Sequence, residues 1–293
     1  MLKRQKTILA LLSRAQKPLS PIVFVKMVFL LRHETELKND PAFYDFVPYK
    51  YGPFSFALYQ ELAHLRRYGY VSSDEDHVSL GECTTELVEE KVEGLPASVQ
   101  RAVDNVVTLY GEISQYALLK DVYSRFPWYA TKSELTNFQP NNSAGVIKSK
   151  PAVYTAGYEG KSVDAFFNQL LKKRIQLIID VRANPVSRRY GFSKRRCSEI
   201  AGRLGLEYLH MPDLGISSKY RGDLSDFGSY QRLLRKYEQE MLPELEEEID
   251  EVGKLMKHSA AVLMCVEKNV RCCHRSRLAE AVSRKTGAEV VHI

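Results

Sequence analysis

The alternation of short apolar runs with longer amphipathic stretches most restricts the fold of the second half of the chain. The runs are rich in Ile, Val and Leu without polar alternation, which is typical of strands buried on both faces. Because stretches of helical periodicity separate them, we predict a mostly parallel, doubly wound α/β sheet. The predicted strands are residues 153–158, 175–181, 207–210, 260–266 and 289–293, and the predicted helices are residues 163–171, 193–204, 229–257 and 276–285.

The first half is predicted to be mainly helical. A first helix covers residues 4–15, Ser20 and Pro21 open a second, and Ser55 caps a third that ends at Gly69. Residues 44–52 look irregular, residues 70–80 form two extended pieces around an acidic tip, and two more helices follow at 97–111 and 112–125. Three helices and then a hairpin is the order of a winged helix-turn-helix, a fold used for nucleic-acid binding and for protein contacts.

The composition changes at residues 132–150, which are polar, rich in turn-forming residues and without periodicity. A chain of 293 residues also exceeds the usual size of one domain. We therefore predict a winged-helix-like helical domain over 1–131, a linker over 132–150 and a Rossmann/flavodoxin-like α/β domain over 151–293.

Charge and cysteine content restrict the environment and the partners. The formal net charge of +6 is a mild bias towards anionic partners. Five cysteines are an odd number without the density of a disulfide scaffold, which favours free thiols in a reducing compartment. The apolar run at residues 8–12 is too short to span a bilayer and lacks a cleavage site. We expect a cytoplasmic protein with no membrane contact.

Polar sequence follows four of the predicted strands, and two of these segments contain glycine. Ligands of open parallel sheets bind beyond the carboxyl ends of the strands, because helix N-termini and loop amides meet there. We therefore expect these segments to share one edge of the sheet. They are residues 157–160, 180–185, 210–215 and 265–268, together with residues 272–275 at the start of the next helix.

Two of these segments allow more than one interpretation. Gly157 and Gly160 permit close approach of the backbone to a ligand, or form an ordinary turn; the G-x-x-G spacing is not a dinucleotide fingerprint. Asp180 and Arg182 alternate along a strand and face one side, where the Asp would act as a base or bind a ribose hydroxyl and the Arg would bind phosphate. The alternative is a structural ion pair between them.

Cys265, Glu267, Cys273 and His274 form the sharpest local pattern. A thiol in the first turn of a helix beside an imidazole is expected to have a lowered pKa and to be nucleophilic, with Glu267 as general base. Two thiolates and an imidazole also suit zinc, although C-x7-C-H is not a usual zinc spacing. The third alternative is that the cysteines only pack. We assign no metal ligand, and the cofactor stays open.

Residues 182–203 hold seven Lys or Arg residues against one acid, Glu199. Tyr190 and Phe192 lie among them, a composition used to bind single strands or flipped bases. The alternative is a solvated cationic helix face.

At these residues the chain resembles a known family. T-x-G-Y-E-G, D-V-R-x-N-P, G-F-S-K, Y-L-H-x-P-x-L-G, C-x-E, C-H-R-S-x-L-A-E and V-V-H occur in that order from about Val153 to Ile293, as in the prokaryotic domain of unknown function 488. The resemblance implies a fold and a ligand site and names no substrate. The N-terminal half is similar, less specifically, to the helical region of antitoxin-related proteins. The motif residues that carry over are Tyr158, Glu159, Asp180, Arg182, Asn184, Arg188, Cys265, Glu267, Cys273, His274 and Arg275.

The expected function is a nucleic-acid-directed enzyme that hydrolyses a bond at a base, sugar or phosphate of DNA or of a nucleotide. The alternatives are a non-enzymatic regulator that senses a nucleotide or modified base, and an antitoxin-like interaction module. Nucleic acid and a nucleotide-like small molecule are the expected partners. We assign Asp180, Glu267, Cys273 and His274 to catalysis; Tyr158, Glu159, Gly160, Arg182, Asn184, Arg188, Cys265 and Arg275 to ligand binding; and Arg189, Tyr190, Lys194, Arg195 and Arg196 to nucleic-acid binding.

Overall fold

The computed structural model describes residues 1–82, 85–135, 152–220, 222 and 226–293. The chain divides into two compact units, Met1–Ser143 and Ala144–Ile293. Most of the predicted linker, residues 136–150, lies outside the described residues.

The N-terminal unit consists of seven described helices and two small hairpins. Its core includes apolar side chains of the first two helices, which are buried along most of their length, and of the later helices and hairpins. The elements are α1 (Lys3–Ala15), α2 (Pro21–Glu34), β1 (Val47–Tyr49), β2 (Gly52–Phe54), α3 (Phe56–Arg67), β3 (Val71–Ser73), β4 (Val78–Leu80), α4 (Thr85–Glu93), α5 (Ala97–Tyr110), α6 (Gln115–Arg125) and α7 (Pro127–Ala130), with a 3-10 turn at Glu36–Asn39.

Local chemistry sets the helix starts as the sequence predicts. The Ser20 hydroxyl accepts a hydrogen bond from the amide of Val23 at 3.3 Å, and Pro21 occupies the first helical position. The Ser55 hydroxyl accepts from the amide of Leu58 at 3.2 Å. Each cap satisfies an amide that has no partner within the helix.

One of the two hairpins of this unit is predicted from the sequence and the other is not. β3 and β4 pair antiparallel where two extended pieces are predicted, and Leu19 forms an isolated bridge to Val78. β1 and β2 form a second antiparallel pair over residues 47–54, which overlaps the segment 44–52 predicted to be irregular. Because of this insertion, residues 35–55 separate α2 from α3, whereas a helix-turn-helix has a turn of about 3–4 residues.

The C-terminal unit alternates strands and helices. Its elements are β5 (Val153–Gly157), α8 (Val163–Lys172), β6 (Leu177–Asp180), α9 (Lys194–Arg203), β7 (Glu207–His210), α10 (Phe227–Lys236), α11 (Glu246–His258), β8 (Ala261–Cys265), α12 (Arg275–Thr286) and β9 (Val290–His292), with short 3-10 turns at Pro212–Leu214, Ser218–Tyr220, Leu242–Glu244 and Val270–Cys272 and a π turn at Tyr237–Met241.

The five strands form one sheet in which every pair is parallel, as predicted. The strand order is β7-β6-β8-β5-β9. In the Rossmann and flavodoxin-like orders the first two strands are neighbours, whereas here β8 lies between β5 and β6. The strand order is therefore neither of those two. Hydrophobic runs locate strands but do not show which strands are neighbours.

Helices cover both faces of the sheet. On one face Cys197 of α9 contacts Met264 of β8, with 3.8 Å between the sulfur atoms. On the other face, strand residues such as Leu263 belong to one core with α11 and α12. From β5 through β6 to β7 the chain moves towards one edge of the sheet, and from β7 through β8 to β9 it moves back towards the other edge. Because connections between parallel strands are right-handed, the helices that follow β5 and β6 cover one face and the helices that follow β7 and β8 cover the other. The loops on either side of the carboxyl end of β8 therefore diverge, which is where ligands of such sheets bind.

The predicted helix over 229–257 is interrupted. A π turn and a 3-10 turn separate α10 from α11, and Pro243 lies in the 3-10 turn. Proline cannot donate the helical hydrogen bond and its ring clashes with the preceding turn, which explains the break. Within the described ranges, no helix is long and apolar enough to cross a membrane.

Candidate functional site

The loops after β5 and β8 are tied together by their backbones. The amide of Glu159 donates to the carbonyl of Val266 at 2.9 Å, and the amide of Lys268 donates to the Glu159 carboxylate at 2.9 Å. A Cβ atom on Gly157 would lie 2.0 Å from the carbonyl oxygen of Glu267, so only glycine fits there. At Gly157 the missing side chain therefore makes room for the backbone of Glu267, not for a ligand. Gly160 has a φ of +77° and open space around it.

An ion-pair cluster of Asp180, Arg182, Tyr158 and Tyr208 lies at the carboxyl end of β6. The Arg182 guanidinium donates from Nε to Asp180 Oδ1 at 2.8 Å and from Nη2 to Oδ2 at 2.5 Å. Its Nη1 donates to the Tyr158 hydroxyl at 3.0 Å and to the carbonyl of Phe192 at 2.8 Å. The Tyr208 hydroxyl donates to Asp180. Asp180 is 0% and Arg182 2% exposed.

This geometry corresponds to the ion-pair alternative for Asp180 and Arg182. Burial alone would lower the pKa of Arg182, but the hydrogen bonds and the charge of Asp180 outweigh it and raise that pKa above its ordinary value. Burial and the Asp180 charge likewise raise the pKa of Tyr208. Both carboxylate oxygens of Asp180 are engaged and shielded from solvent, which leaves neither for a substrate proton or a ribose hydroxyl in this conformation.

The aromatic residues near this cluster belong to the core. Tyr158 and Phe192 stack with ring centroids 4.1 Å apart and planes at 10°, and both are buried. Phe192 is therefore not available to stack on a base as the sequence suggested. Nε2 of His210 lies 2.9 Å from the carbonyl oxygen of Arg182, and Asn184 is exposed.

Cys265, Cys273 and His274 form a second cluster, here named the thiol cluster, at the carboxyl end of β8 and the start of α12. Their two sulfurs and one imidazole nitrogen all lie within 4.8 Å of one another, and all three side chains are buried. Cys265 Sγ is 3.8 Å from Nδ1 of His274 and 3.3 Å from Oε2 of Glu267. Glu267 is only partly buried. The structure thus brings together the four residues that the sequence pattern joins.

A backbone carbonyl on the side of the ring away from the thiols fixes the orientation of His274. Its Nε2 lies 3.0 Å from the carbonyl oxygen of Val181, and since a carbonyl only accepts, Nε2 carries the proton and Nδ1 faces the thiols. The ring of Tyr237 meets the imidazole edge to face, with centroids 5.5 Å apart. Tyr237 is itself held by a 2.7 Å hydrogen bond from its hydroxyl to the carbonyl of Leu214.

Burial reverses the expected ionisation of Cys273. Burial, together with the neighbouring Cys265, raises the pKa of Cys273 well above its ordinary value, and the effect of His274 does not compensate. The prediction of a lowered thiol pKa is wrong because the side chain is 1% exposed and a thiolate would be desolvated. Burial would also raise the pKa of Glu267, but hydrogen bonds from Cys273, from its own amide and from Cys265, with the charge of His274, hold it below the ordinary value.

A cationic group lies on the other side of the Glu267 backbone. Arg275 is 2% exposed, and its Nη1 donates to the carbonyl of Glu267 at 2.6 Å. Among the described residues, its Nε has no hydrogen-bond partner. Burial and the charges of Arg275 and Lys268 lower the pKa of Lys161. Arg275, Lys161 and Lys268 thus form a site of positive charge beside the Gly157–Gly160 turn.

The predicted nucleic-acid-binding side chains lie on the surface. Arg189 donates to the carbonyl of Lys161 at 2.5 Å, which connects the basic segment to the cationic group. Arg195 and Arg196 on α9 pair with Glu199 at 3.3 and 2.9 Å. Arg189, Lys194, Arg195 and Arg196 are exposed, and Tyr190 is partly buried. Arg188, which the sequence assigns to ligand binding, is also exposed.

Three residues of this region were not predicted from the sequence. Tyr208 reaches Asp180 only because β6 and β7 are neighbours, and no local pattern carries that information. Tyr237 lies inside a predicted helix without any distinguishing motif. Lys161 follows the turn at Gly160, so a search for charge beside the glycine segment would have found it.

A cavity of about 390 Å³ lies near the thiol cluster. It shares Tyr237 with the surroundings of His274, and its polar residues include Asp213, Lys219 and Glu244. The lining residues among those that the structure describes are Ala183, Pro212, Asp213, Gly215, Ser217, Lys219, Tyr220, Tyr237, Met241, Glu244 and Leu245.

The fold and the two clusters define a parallel α/β unit with ionisable groups at the carboxyl ends of its strands. Within this unit, residues 162–282 match the model of the family described as domain of unknown function DUF488. The matched range contains the whole thiol cluster and Glu267. A search of curated proteins found no match. The family match does not extend to the N-terminal unit, whose similarity to antitoxin-related proteins it leaves unsupported.

Proposed function

We propose that the C-terminal unit is a hydrolase that acts on nucleic acid or on a nucleotide, with Glu267 as general base. The observation that carries the proposal is the environment of Glu267. This carboxylate is partly exposed and lies beside the carboxyl end of β8, where the loops diverge. It is ionised at neutral pH and able to accept a proton from water.

The cationic group supplies the second requirement of such a reaction. Arg275 is held by the carbonyl of Glu267, so its charge is fixed close to the proposed base. Lys161 is partly exposed and Lys268 is exposed, so these two would bind a phosphate. The buried charge of Arg275 beside them would help to stabilise negative charge that develops during hydrolysis. Asp180 has no catalytic part in this proposal, because Arg182 and Tyr208 occupy its oxygens.

We propose that the N-terminal unit is a winged helix that binds nucleic acid. The order α1, α2, α3 and then the β3–β4 hairpin supports this, as does the bridge from Leu19 to Val78, which attaches the segment before α2 to the hairpin. The exposed face of α3 carries Gln60, His64 and Arg67, groups suited to base edges and phosphates. The acidic hairpin tip at residues 74–76 is expected to stay away from phosphates.

The basic segment on the C-terminal unit supports a polymeric substrate. Arg188, Arg189, Lys194, Arg195 and Arg196 are exposed, and phosphate contacts need such accessible cations. Cys197, Cys265, Cys272 and Cys273 are free thiols, which supports the proposed cytoplasmic location.

The test is a product screen with the full chain. Single-stranded and duplex oligonucleotides and mononucleotides are incubated with the protein, and released base, sugar or phosphate is quantified by mass spectrometry. We expect Glu267→Gln to lower turnover by roughly 10²–10⁴-fold, the range for loss of a general base. The matched control is Glu251→Gln, an exposed carboxylate on α11, which should retain full turnover. Undiminished turnover in Glu267→Gln contradicts the assignment.

A ligand-sensing regulator is the second candidate. The observation in its favour is that the cavity of about 390 Å³ is bounded by Tyr237, which packs on His274, rather than by Glu267. A ligand there would act on the thiol cluster without chemistry. Affinity for duplex DNA, measured with and without each nucleotide that binds, tests it, and an unchanged affinity excludes coupling.

A further inference from the structure

We propose that Cys265, Cys273 and His274 bind one zinc ion through two thiolates and the imidazole Nδ1, with a fourth coordination position beside Glu267. The proposal is independent of the hydrolase activity, because it depends only on the donor atoms and their arrangement. Thiolates and imidazoles are the ligands that zinc prefers, whereas magnesium and calcium prefer oxygen.

The donor spacing fits a tetrahedral ion after a small contraction. With Zn–S near 2.3 Å and Zn–N near 2.0 Å, donors of one tetrahedral site lie roughly 3.5–3.8 Å apart. The sulfur of Cys265 is already 3.8 Å from Nδ1 of His274, and all three donors are within 4.8 Å of one another. The donors that are farther apart would have to approach one another by up to about one ångström.

The hydrogen bond made by the other nitrogen of His274 is the kind that a metal-binding histidine requires. Metal-bound imidazoles donate their other N–H to a carbonyl or carboxylate, which fixes the ring and its tautomer. The carbonyl of Val181 accepts from Nε2 of His274 at 3.0 Å, so Nδ1 is the nitrogen that faces the two thiols.

Three protein ligands and an adjacent carboxylate match a reactive zinc site rather than a closed one. Structural zinc sites use four protein ligands, and catalytic sites keep one position open. Glu267 lies 3.3 Å from Cys265 Sγ and is partly exposed, so it borders the open position. Binding replaces two thiol protons: the two Cys–SH groups and Zn²⁺ give the bis-thiolate complex and two H⁺.

The experiment uses the full chain, freed of metal by a chelator under reducing conditions and then titrated with ZnCl₂ or CoCl₂. We expect one tightly bound zinc per chain by elemental analysis, and with cobalt the intense near-ultraviolet absorption of a thiolate–metal bond. Because these readouts use the wild-type protein, they do not depend on whether a variant folds.

Variants then assign the ligands. Cys265→Ser, Cys273→Ser and His274→Asn should each weaken zinc binding at least tenfold. Cys272→Ser is the matched control, because that half-exposed thiol contacts Asn269 instead and should not affect binding. Glu267→Gln should retain the metal, since the carboxylate is not counted as a ligand.

Four outcomes overturn the proposal: no stoichiometric zinc in the wild type, equal loss in Cys272→Ser, loss of zinc in Glu267→Gln, or a Cys265–Cys273 disulfide as the stable state of the purified chain. A zinc-loaded chain that hydrolyses none of the nucleic-acid substrates contradicts only the proposed function and leaves the metal site established.

Discussion

The ion-pair cluster and the thiol cluster lie at the carboxyl ends of neighbouring strands, yet they differ in how completely their polar atoms are satisfied. In the first, all three guanidinium nitrogens of Arg182 donate hydrogen bonds, and both oxygens of Asp180 accept them. In the second, two thiols, an imidazole nitrogen and a carboxylate face one another at 3.3 Å or more.

How completely the polar atoms are hydrogen bonded distinguishes a structural cluster from a functional one, although both clusters are buried. A buried charge that is fully paired and hydrogen bonded is stable without a ligand, and its removal leaves an uncompensated partner. Weakly paired donors that converge on one point gain from an added cation. We infer that the ion-pair cluster holds the loops after β5 and β6, whereas the thiol cluster keeps donor atoms that a ligand could use.

The largest expected effect is on the ion-pair cluster. Arg182→Met leaves the Asp180 carboxylate buried without its cation, so we expect a loss of about 3–5 kcal/mol in the free energy of unfolding of the C-terminal unit. Hydrogen exchange of the β6 amides measures it. The double variant Asp180→Asn with Arg182→Met should lose less, because no charge stays buried. A loss below about 1 kcal/mol in the single variant would show that the pair is not structural.

Metal binding should stabilise the same unit by a smaller amount. At a free zinc concentration of 100 times the dissociation constant, the expected gain in unfolding free energy is about 2.7 kcal/mol. Thermal unfolding with ZnCl₂, with chelator and with MgCl₂ measures the gain. Magnesium is the control, because thiolates do not select it. If zinc and magnesium raised the unfolding temperature equally, the effect would be nonspecific. The thiol cluster would then be no more a ligand site than the ion-pair cluster is.

The sequence predicts most of what is local in these clusters. The apolar runs locate all five strands of the sheet, and the segments that follow them contain the residues of both clusters except Tyr208. The predicted helix starts agree with the caps at Ser20 and Ser55. These features depend on neighbours along the chain, so periodicity and capping chemistry suffice.

The remaining features depend on which strands are neighbours. The contact of Tyr208 with Asp180 requires β7 beside β6, and the burial of Cys273 requires the packing of α12 against the sheet. Position in a first helical turn suggested an ionised Cys273, but desolvation outweighs the helix terminus. The break in the helix over 229–257 had a visible cause, Pro243, that the apolar periodicity obscured.

Lys26 in the N-terminal unit can be compared with Arg182, because it is a buried basic side chain that donates a hydrogen bond to a carbonyl rather than to a carboxylate. It is 2% exposed, its Nζ donates to the carbonyl of Pro53 at 3.2 Å, and burial lowers its pKa to about 7. Between that value and the ordinary value of 10.5, the unfolded chain binds more protons than the folded one. Unfolding free energy should therefore rise with pH from 7 to 10, by at most about 1.4 kcal/mol per unit, and be independent of this group below pH 7.

Urea unfolding followed by the fluorescence of Trp128, the single tryptophan, measures this slope. Lys26→Met should flatten the slope and raise stability at neutral pH, because the desolvated amine is removed. Lys38→Met, an exposed lysine of the same unit, is the control and should keep the slope. If Lys26→Met left the slope unchanged, Lys26 would have to be charged in the folded state.

The smallest effect on stability is expected at the exposed counterpart of the ion-pair cluster. Arg195 and Arg196 pair with Glu199 on the surface of α9, so replacing both with Gln should change the unfolding free energy by less than about 0.5 kcal/mol. Their proposed role is in binding, where each lost phosphate contact lowers the salt slope for a single strand by about 0.7. Fluorescence anisotropy with an oligo(dT) strand at several salt concentrations measures it, with Lys254→Gln on α11 as the control. An unchanged slope with unchanged affinity would identify this segment as a solvated helix face, whereas a lower slope without loss of stability would separate the charges that bind from those that hold the fold.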